Sequence, residues 1–195
     1  FTANVTHELK TPLTTISGYA QFLEDGDVSQ EDQIHFGEEI GKSSDRLLTM
    51  IDDILNLSEL DTYKKGMIDT EPVDLYELAG SCMKMLDLTA KKKEIRLVLS
   101  GKSERIQSNR KMMKQMIYNL IDNAIRYGKV GGFVWVEASD QLIVKDNGIG
   151  IPREEQNKIF ERFYRVNKDE SRRKGGTGLG LAIVKEIVDL HEAKI

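Results

Sequence analysis

Apolar residues recur at helical intervals through the first third of the chain. Val5, Leu9, Leu13, Ile16, Ala20 and Leu23 follow one another in steps of three and four, which predicts a helix ending near Glu24. Gly26 and Asp27 interrupt the pattern. Ser29, with Asp32 three residues on, supplies the start signal of a second helix. That helix runs to about Asp61 and is striped by Ile40, Leu47, Ile51, Ile54 and Leu57. Its spacing suits a hairpin of coiled-coil type. Two helices bury too little apolar surface to stand alone, so the hairpin is expected to dimerise into a four-helix bundle.

Tyr63-Lys64-Lys65-Gly66 is the expected linker, and the period changes after it. Val73-Asp74-Leu75 leads into a helix through Ala90. Ile95 to Leu99 alternates in part like a strand. A helix is expected from about Arg110 to Tyr127. Phe133 to Val136 and Leu142 to Val144 read as the strands of a hairpin, and Leu181 to Leu190 as a final helix. Mixed strands and helices predict an α/β sandwich. The division expected is 1–66 for the hairpin and 67–195 for the sandwich.

Composition alters this picture little. The 195 residues are 39% hydrophobic and 31% charged, as in ordinary globular domains. A formal net charge of −4 sets up no field that attracts nucleic acid, so no nucleic-acid partner is expected. Cys82 is the only cysteine, which excludes an internal disulfide and fits a reducing compartment. No apolar run approaches the roughly 20 residues that cross a bilayer, so no direct membrane contact is expected within these residues. The pattern is already helical at Phe1, so the chain is expected to be a cytoplasmic fragment, its parent open to an upstream membrane anchor.

His7 lies opposite the stripe of Val5, Leu9, Ile16 and Leu23, with Thr11 and Thr14 on its own side. An exposed imidazole beside Glu8 has what a nitrogen nucleophile requires. One lone pair is free, and a carboxylate can orient the ring and take its proton. Pro12 removes the amide that the Glu8 carbonyl would bond, so a local bend is expected there. An ordinary surface histidine remains the bland alternative. His35 and His191 show no such context.

Asn119 and Asn123 stand four apart on the edge of an apolar helical face. Asparagine forms helices poorly, so the pair suggests a role beyond propensity. Neutral amide oxygens suit Mg²⁺, which keeps waters and shares phosphate oxygens; helix-to-loop hydrogen bonding explains them equally. Arg126 and Tyr127 follow on the same edge, placed for phosphate and sugar. The strand Leu142 to Val144 delivers Asp146, where a buried carboxylate can accept from an adenine amino group. Gly148 and Gly150 allow close backbone approach to the ring, although a simple turn explains them too. Gly175 to Gly180 precede the last helix and would expose amides to phosphate. The charged stretch Asn167 to Lys174 before them replaces the strand of a dinucleotide fold and reads as a lid. Arg172, Arg173 and Lys174 there are either phosphate contacts or solvated charge. Phe160, Phe163 and Tyr164 are expected to pack, and Arg165 to contact phosphate.

In this order the motifs resemble the cytoplasmic core of bacterial sensor histidine kinases of two-component systems, over nearly the whole chain. His7 to Pro12 looks like the H box and Asn119 to Tyr127 like the N box. Asp146 to Gly150 looks like the first glycine box, Phe160 to Phe163 like the F box, and Gly176 to Gly180 like the second glycine box. The resemblance implies a dimerisation and histidine-phosphotransfer hairpin. After it would come an ATP-binding sandwich of the type shared with gyrase and heat-shock chaperone ATPases. It implies that Asn123 holds Mg²⁺ and Asp146 reads adenine, while Gly176, Thr177, Gly178, Leu179 and Gly180 close on ATP. His7 would take the phosphoryl group, with Glu8 activating it, and pass it to an aspartate of a response-regulator receiver domain. Many members of the family also remove that phosphate, and there Thr11 would help place water.

The sequence departs from the family pattern in three places. Glu192-Ala193 stands where a glycine pair is common, with the closing strands absent before the chain ends at Ile195. The turn at Ala138-Ser139-Asp140 is short, and Arg126 replaces the usual lysine. The rival expectations are a degenerate kinase that only docks a regulator, a phosphatase-dominant form, and a purely structural hairpin.

Overall fold

A computed structural model describes residues 2–167 and 175–195. Helix α1 spans Thr2–Asp25 and α2 spans Gln30–Leu60, folded back on one another. Gly26 makes the turn possible with φ +74°, a conformation that side chains resist. Ser29 is extended, and its hydroxyl oxygen accepts from the Asp32 amide at 3.1 Å, the cap the sequence predicts. Pro12 lies buried inside α1, which runs unbroken past it; the missing hydrogen bond does not end the helix.

The remaining elements are β1 Glu71–Asp74, α3 Leu75–Lys92, β2 Arg96–Gly101, β3 Arg105–Ser108, α4 Arg110–Tyr127, β4 Phe133–Ala138, β5 Leu142–Asp146 and α5 Gly180–Leu190. Asp74 and Asn109 cap α3 and α4 as Ser29 caps α2, each accepting from the amide three residues on. Strands β1 and β3 pair antiparallel, Val73 opposite Ile106; neither was predicted. Each has four residues, and β1 contains Pro72, too little for an alternating pattern to register.

The main sheet has the order β2-β4-β5. Strand β4 runs parallel to β2, Leu97 beside Val134, and antiparallel to β5, Val136 beside Val144. Val134, Val136 and Ala138 alternate inward onto α3 and α4. Lys145 covers the Trp135 ring on the outer face at 4.4 Å. The inner layer is Leu78, Cys82 and Leu86 of α3, Ile117, Ile121 and Ile125 of α4, and Ile183 and Ile187 of α5.

Two polar ties hold the helices in place. The Lys93 ammonium donates to the carbonyls of Ile125, Arg126 and Gly128 at 3.0, 2.7 and 3.3 Å, closing the C-terminal end of α4. His191 lies against the Ile187 carbonyl through Nδ1, and its Nε2 accepts from the Asn109 amide at 3.2 Å.

The stripe of α2 divides between two tasks. Leu57 and Leu60 are buried in the core of the sandwich, with Ile54 packed beside them. Leu48, Ile51 and Leu55, with Leu13 of α1, face outward. Among the described residues no helix is long and apolar enough to cross a membrane.

Candidate functional site

Helix α4 carries Asn119, Asn123 and Tyr127 in steps of four, one edge of a face whose centre is buried. Two cavities meet along that edge. The first, about 280 Å³, is largely apolar, walled by Leu120, Ala124, Val144, Ile149 and Leu181, with Asp146 at its rim. The second, about 230 Å³, is polar, walled by Asn119, Asn123, Arg126, Asp122, Thr177 and, from the hairpin, Asp53. Asn123, Tyr127, Tyr164 and Arg165 belong to both. The two N-box asparagines, both glycine loops and the aromatic segment are thus brought to one place.

Asp146 is not buried as expected. It ends β5 at the exposed rim, where Oδ1 accepts from the Gly148 amide at 2.7 Å. Gly148 has no room for a side chain. A Cβ there would lie 2.5 Å from the Tyr127 carbonyl oxygen, so glycine lets this loop close on the end of α4. Gly150 takes φ +69°. The second loop is locked to the aromatic segment. The Phe163 amide donates to the Gly178 carbonyl at 2.8 Å, and a Cβ on Gly178 would stand 2.9 Å from the Phe163 carbonyl carbon. Phe163 itself has φ +66°, a strained position for a bulky residue that no sequence signal marks. Gly176, Thr177 and Leu179 are buried. The Leu179 backbone amide donates to the Thr177 hydroxyl at 3.3 Å, and the Asn119 side-chain Nδ2 to the Gly180 carbonyl at 3.4 Å. No side chain caps the first turn of α5, whose amides adjoin the polar cavity.

His7 is exposed, as expected, on a shallow groove with Lys10, Thr11, Thr14 and Thr15. The Thr11 hydroxyl donates to the His7 carbonyl at 3.4 Å. The Glu8 carboxylate is engaged elsewhere than its expected role requires. It lies 3.0 Å from Nη2 of Arg165 and 3.6 Å from Nη2 of Arg46. Two guanidinium groups hold a carboxylate more strongly than an exposed imidazole does. Arg165, only 8% exposed, also donates to the Thr177 carbonyl at 2.7 Å, and its buried Nε has no hydrogen-bond partner among the described residues. An orphaned donor at this position suits an anion.

Asp53 went unnoticed in the sequence. The Thr177 hydroxyl donates to its Oδ2 at 2.6 Å. Burial pushes the Asp53 carboxyl above its ordinary range; the Thr177 bond and the Arg126 charge pull it back, while Asp122 and Asp52 push it further. Arg126 pairs with Asp122 at 2.7 Å instead of standing open to phosphate. Two more ion pairs join hairpin to sandwich. Arg162 bonds both Asp61 oxygens, at 3.1 and 2.6 Å, and Lys111 reaches Glu59 at 2.8 Å. The expected lid cations Arg172, Arg173 and Lys174 lie outside the described residues. Among the described residues no trio of acidic, histidine or cysteine side chains could hold a metal ion. The amide oxygens of Asn123 and Asn119 fit a cation shared with phosphate oxygens.

Known proteins align with this geometry. Residues 1–62 match the family model of the His Kinase A (phospho-acceptor) domain, and residues 108–195 that of the histidine kinase-, DNA gyrase B- and HSP90-like ATPase. Sensor protein kinase WalK of Staphylococcus aureus is 34% identical over 203 aligned positions, which cover all of this chain and 49% of that protein. The chain therefore spans about half the length of that relative, and 33% of the WalK of other strains. Full-length ShkA, solved with AMPPNP, shares 26% identity and a TM-score of 0.65 over 96% of this chain and 40% of that one. Histidine kinase ThkA, solved with response regulator protein TrrA, superposes with a TM-score of 0.70 over 87% of this chain and 54% of that one. At 24% identity that likeness speaks for the fold.

Proposed function

The chain belongs to the sensor histidine kinases of two-component systems, and from that membership we propose that it is an ATP-dependent autokinase. It phosphorylates His7 and hands the phosphoryl group to an aspartate of a response-regulator receiver domain. The observation that carries this reading is the junction of an apolar and a polar cavity along one edge of α4. The apolar walls take the adenine ring, and Asp146 at the rim accepts from its amino group. Asn123 and the first turn of α5 face the phosphates, and Arg126 joins them on leaving Asp122. Asn123 would hold Mg²⁺ together with phosphate oxygens, and the ion would supply charge neutralisation there. The AMPPNP in ShkA and the regulator bound to ThkA supply the matching ligand and partner classes.

In the reaction one ring nitrogen of His7 attacks the γ-phosphorus in line. The nitrogen–phosphorus bond forms as the bond to the β-phosphate oxygen breaks, ADP leaves, and the proton on the ring passes to Glu8. Glu8 must first leave Arg165. Leu13, Leu48, Ile51 and Leu55 form the apolar seam on which a second copy completes a four-helix bundle. Thr11, in the His7 groove, places the water that hydrolyses the regulator's aspartyl phosphate to inorganic phosphate.

Incubation with γ-labelled ATP tests the assignment. An acid-labile, base-stable label is expected on the native protein and none on His7→Gln; an undiminished label in the variant removes His7 from the mechanism. Thr11→Ala should keep the label and lose phosphate release from a phosphorylated regulator.

A further inference from the structure

We propose that Asn147 is a positioning residue for base recognition: its side chain ties the end of β5 to the start of β4, and so aims the neighbouring Asp146 carboxylate at the adenine amino group. This rests on the nucleotide site proposed above. Asn147 lines neither cavity, so it acts through Asp146.

The ladder between β4 and β5 ends at Val134 beside Asp146. One step further Phe133 stands opposite Asn147, and the Phe133 amide donates to Asn147 Oδ1 at 3.0 Å. A side-chain oxygen thus stands where a regular antiparallel ladder would place a main-chain carbonyl. Held by its side chain, Asn147 stays fastened to the sheet while its backbone turns away into Gly148, Ile149 and Gly150. The last two wall the apolar cavity.

Room for the bond is made just before β4. A Cβ on Gly132 would stand 2.5 Å from Asn147 Oδ1, so glycine is what admits the amide. Gly132 is itself held. Its amide donates to the Lys129 carbonyl at 3.0 Å, and its carbonyl accepts from the Arg96 amide at 2.9 Å. The anchor for Asn147 is therefore a fixed point of the sheet. Asp146 and Gly148 flank Asn147, and Asp146 Oδ1 accepts from the Gly148 amide at 2.7 Å, which leaves Oδ2 for the base. Cutting the Asn147 bond loosens the carboxylate and the amide that orients it together. Hydrogen bonds weaken steeply with misalignment, so a small displacement of Asp146 forfeits its preference for an amino group.

Competition against a labelled ATP analogue, with magnesium present, measures the affinities of a non-hydrolysable ATP analogue and of its inosine counterpart. Inosine carries an oxygen in place of the amino group and gives Asp146 nothing to accept. The native chain, Asn147→Ala and Asn147→Asp are compared. Asn147→Asp keeps an acceptor oxygen at the same reach, and its added charge weighs on both nucleotides alike. Asn147→Ala is expected to lose about tenfold of the preference for ATP over inosine triphosphate, all of it on the ATP side, and Asn147→Asp to keep the native preference. Equal losses for both nucleotides in Asn147→Ala, an unchanged preference, or as large a loss in Asn147→Asp overturn the positioning role while leaving the nucleotide site standing. A native chain that binds both nucleotides equally removes Asp146 from base recognition, and Asn147 with it. A native chain that binds neither overturns the nucleotide site itself.

Discussion

Folding places the Asp53 carboxyl among Thr177, Arg126, Asp122 and Asp52, and burial is the largest influence on it, raising its pKa. A carboxyl raised in the folded state contributes stability below its unfolded value and loses that contribution as pH rises through the folded one. The native protein should therefore fall in urea midpoint relative to Asp53→Asn as pH rises above the ordinary carboxylate range of about 4. A constant gap over that rise would show that the carboxyl is not buried in solution. Asn123→Ala should weaken binding of an ATP analogue about tenfold with magnesium present and far less in chelator, an interaction worth about 1.4 kcal/mol. Equal losses in both conditions would assign Asn123 to the nucleotide alone. Residues whose identity is demanded by their own backbone were legible: Gly148 and Gly178 have no space for a Cβ. Those defined by a distant partner were not. Glu8 meets Arg165 across 157 positions, and Asp53 meets Thr177 across 124. Nothing local to either carboxylate announces that pairing.

The start of α2 was legible because capping is written within four residues, as Ser29 shows; Asp74 and Asn109, which cap α3 and α4 in the same way, went unread. Strands β1 and β3 were not legible, because a four-residue strand carries hardly two repeats of its period. The end of α4 shows the same limit from the other side. Its closure comes from Lys93, at the C-terminal end of α3, whose ammonium takes up the carbonyls of Ile125, Arg126 and Gly128. Lys93→Met keeps the aliphatic stem and removes the donors. We expect it to cost about 2 kcal/mol in urea unfolding and to loosen the α4 edge that carries Tyr127. Unchanged stability would mean that water replaces the ammonium without loss.

At the scale of the molecule, the period of α2 was legible but its two destinations were not. A helical stripe states that burial occurs, not what covers it. Leu57 and Leu60 are covered by the sandwich, while Leu48, Ile51 and Leu55 face outward. Leu55→Glu places a charge on the outward seam and should turn a dimer into a monomer in sedimentation equilibrium, with the circular dichroism of the sandwich retained. A dimer that persists would move the seam elsewhere. The connection between the halves is short. Helix α2 is capped at Asp61, and the Gly66 amide is fastened to the Leu190 carbonyl at the far end of α5. Between them lie only Thr62, Tyr63, Lys64 and Lys65, a leash that reaches on the order of 17 Å when pulled straight. The sandwich can pivot about the tip of α2 but cannot roam. Whether it visits its own histidine or its neighbour's is then a matter of the compass bearing of that pivot, and hardly of slack in the cord.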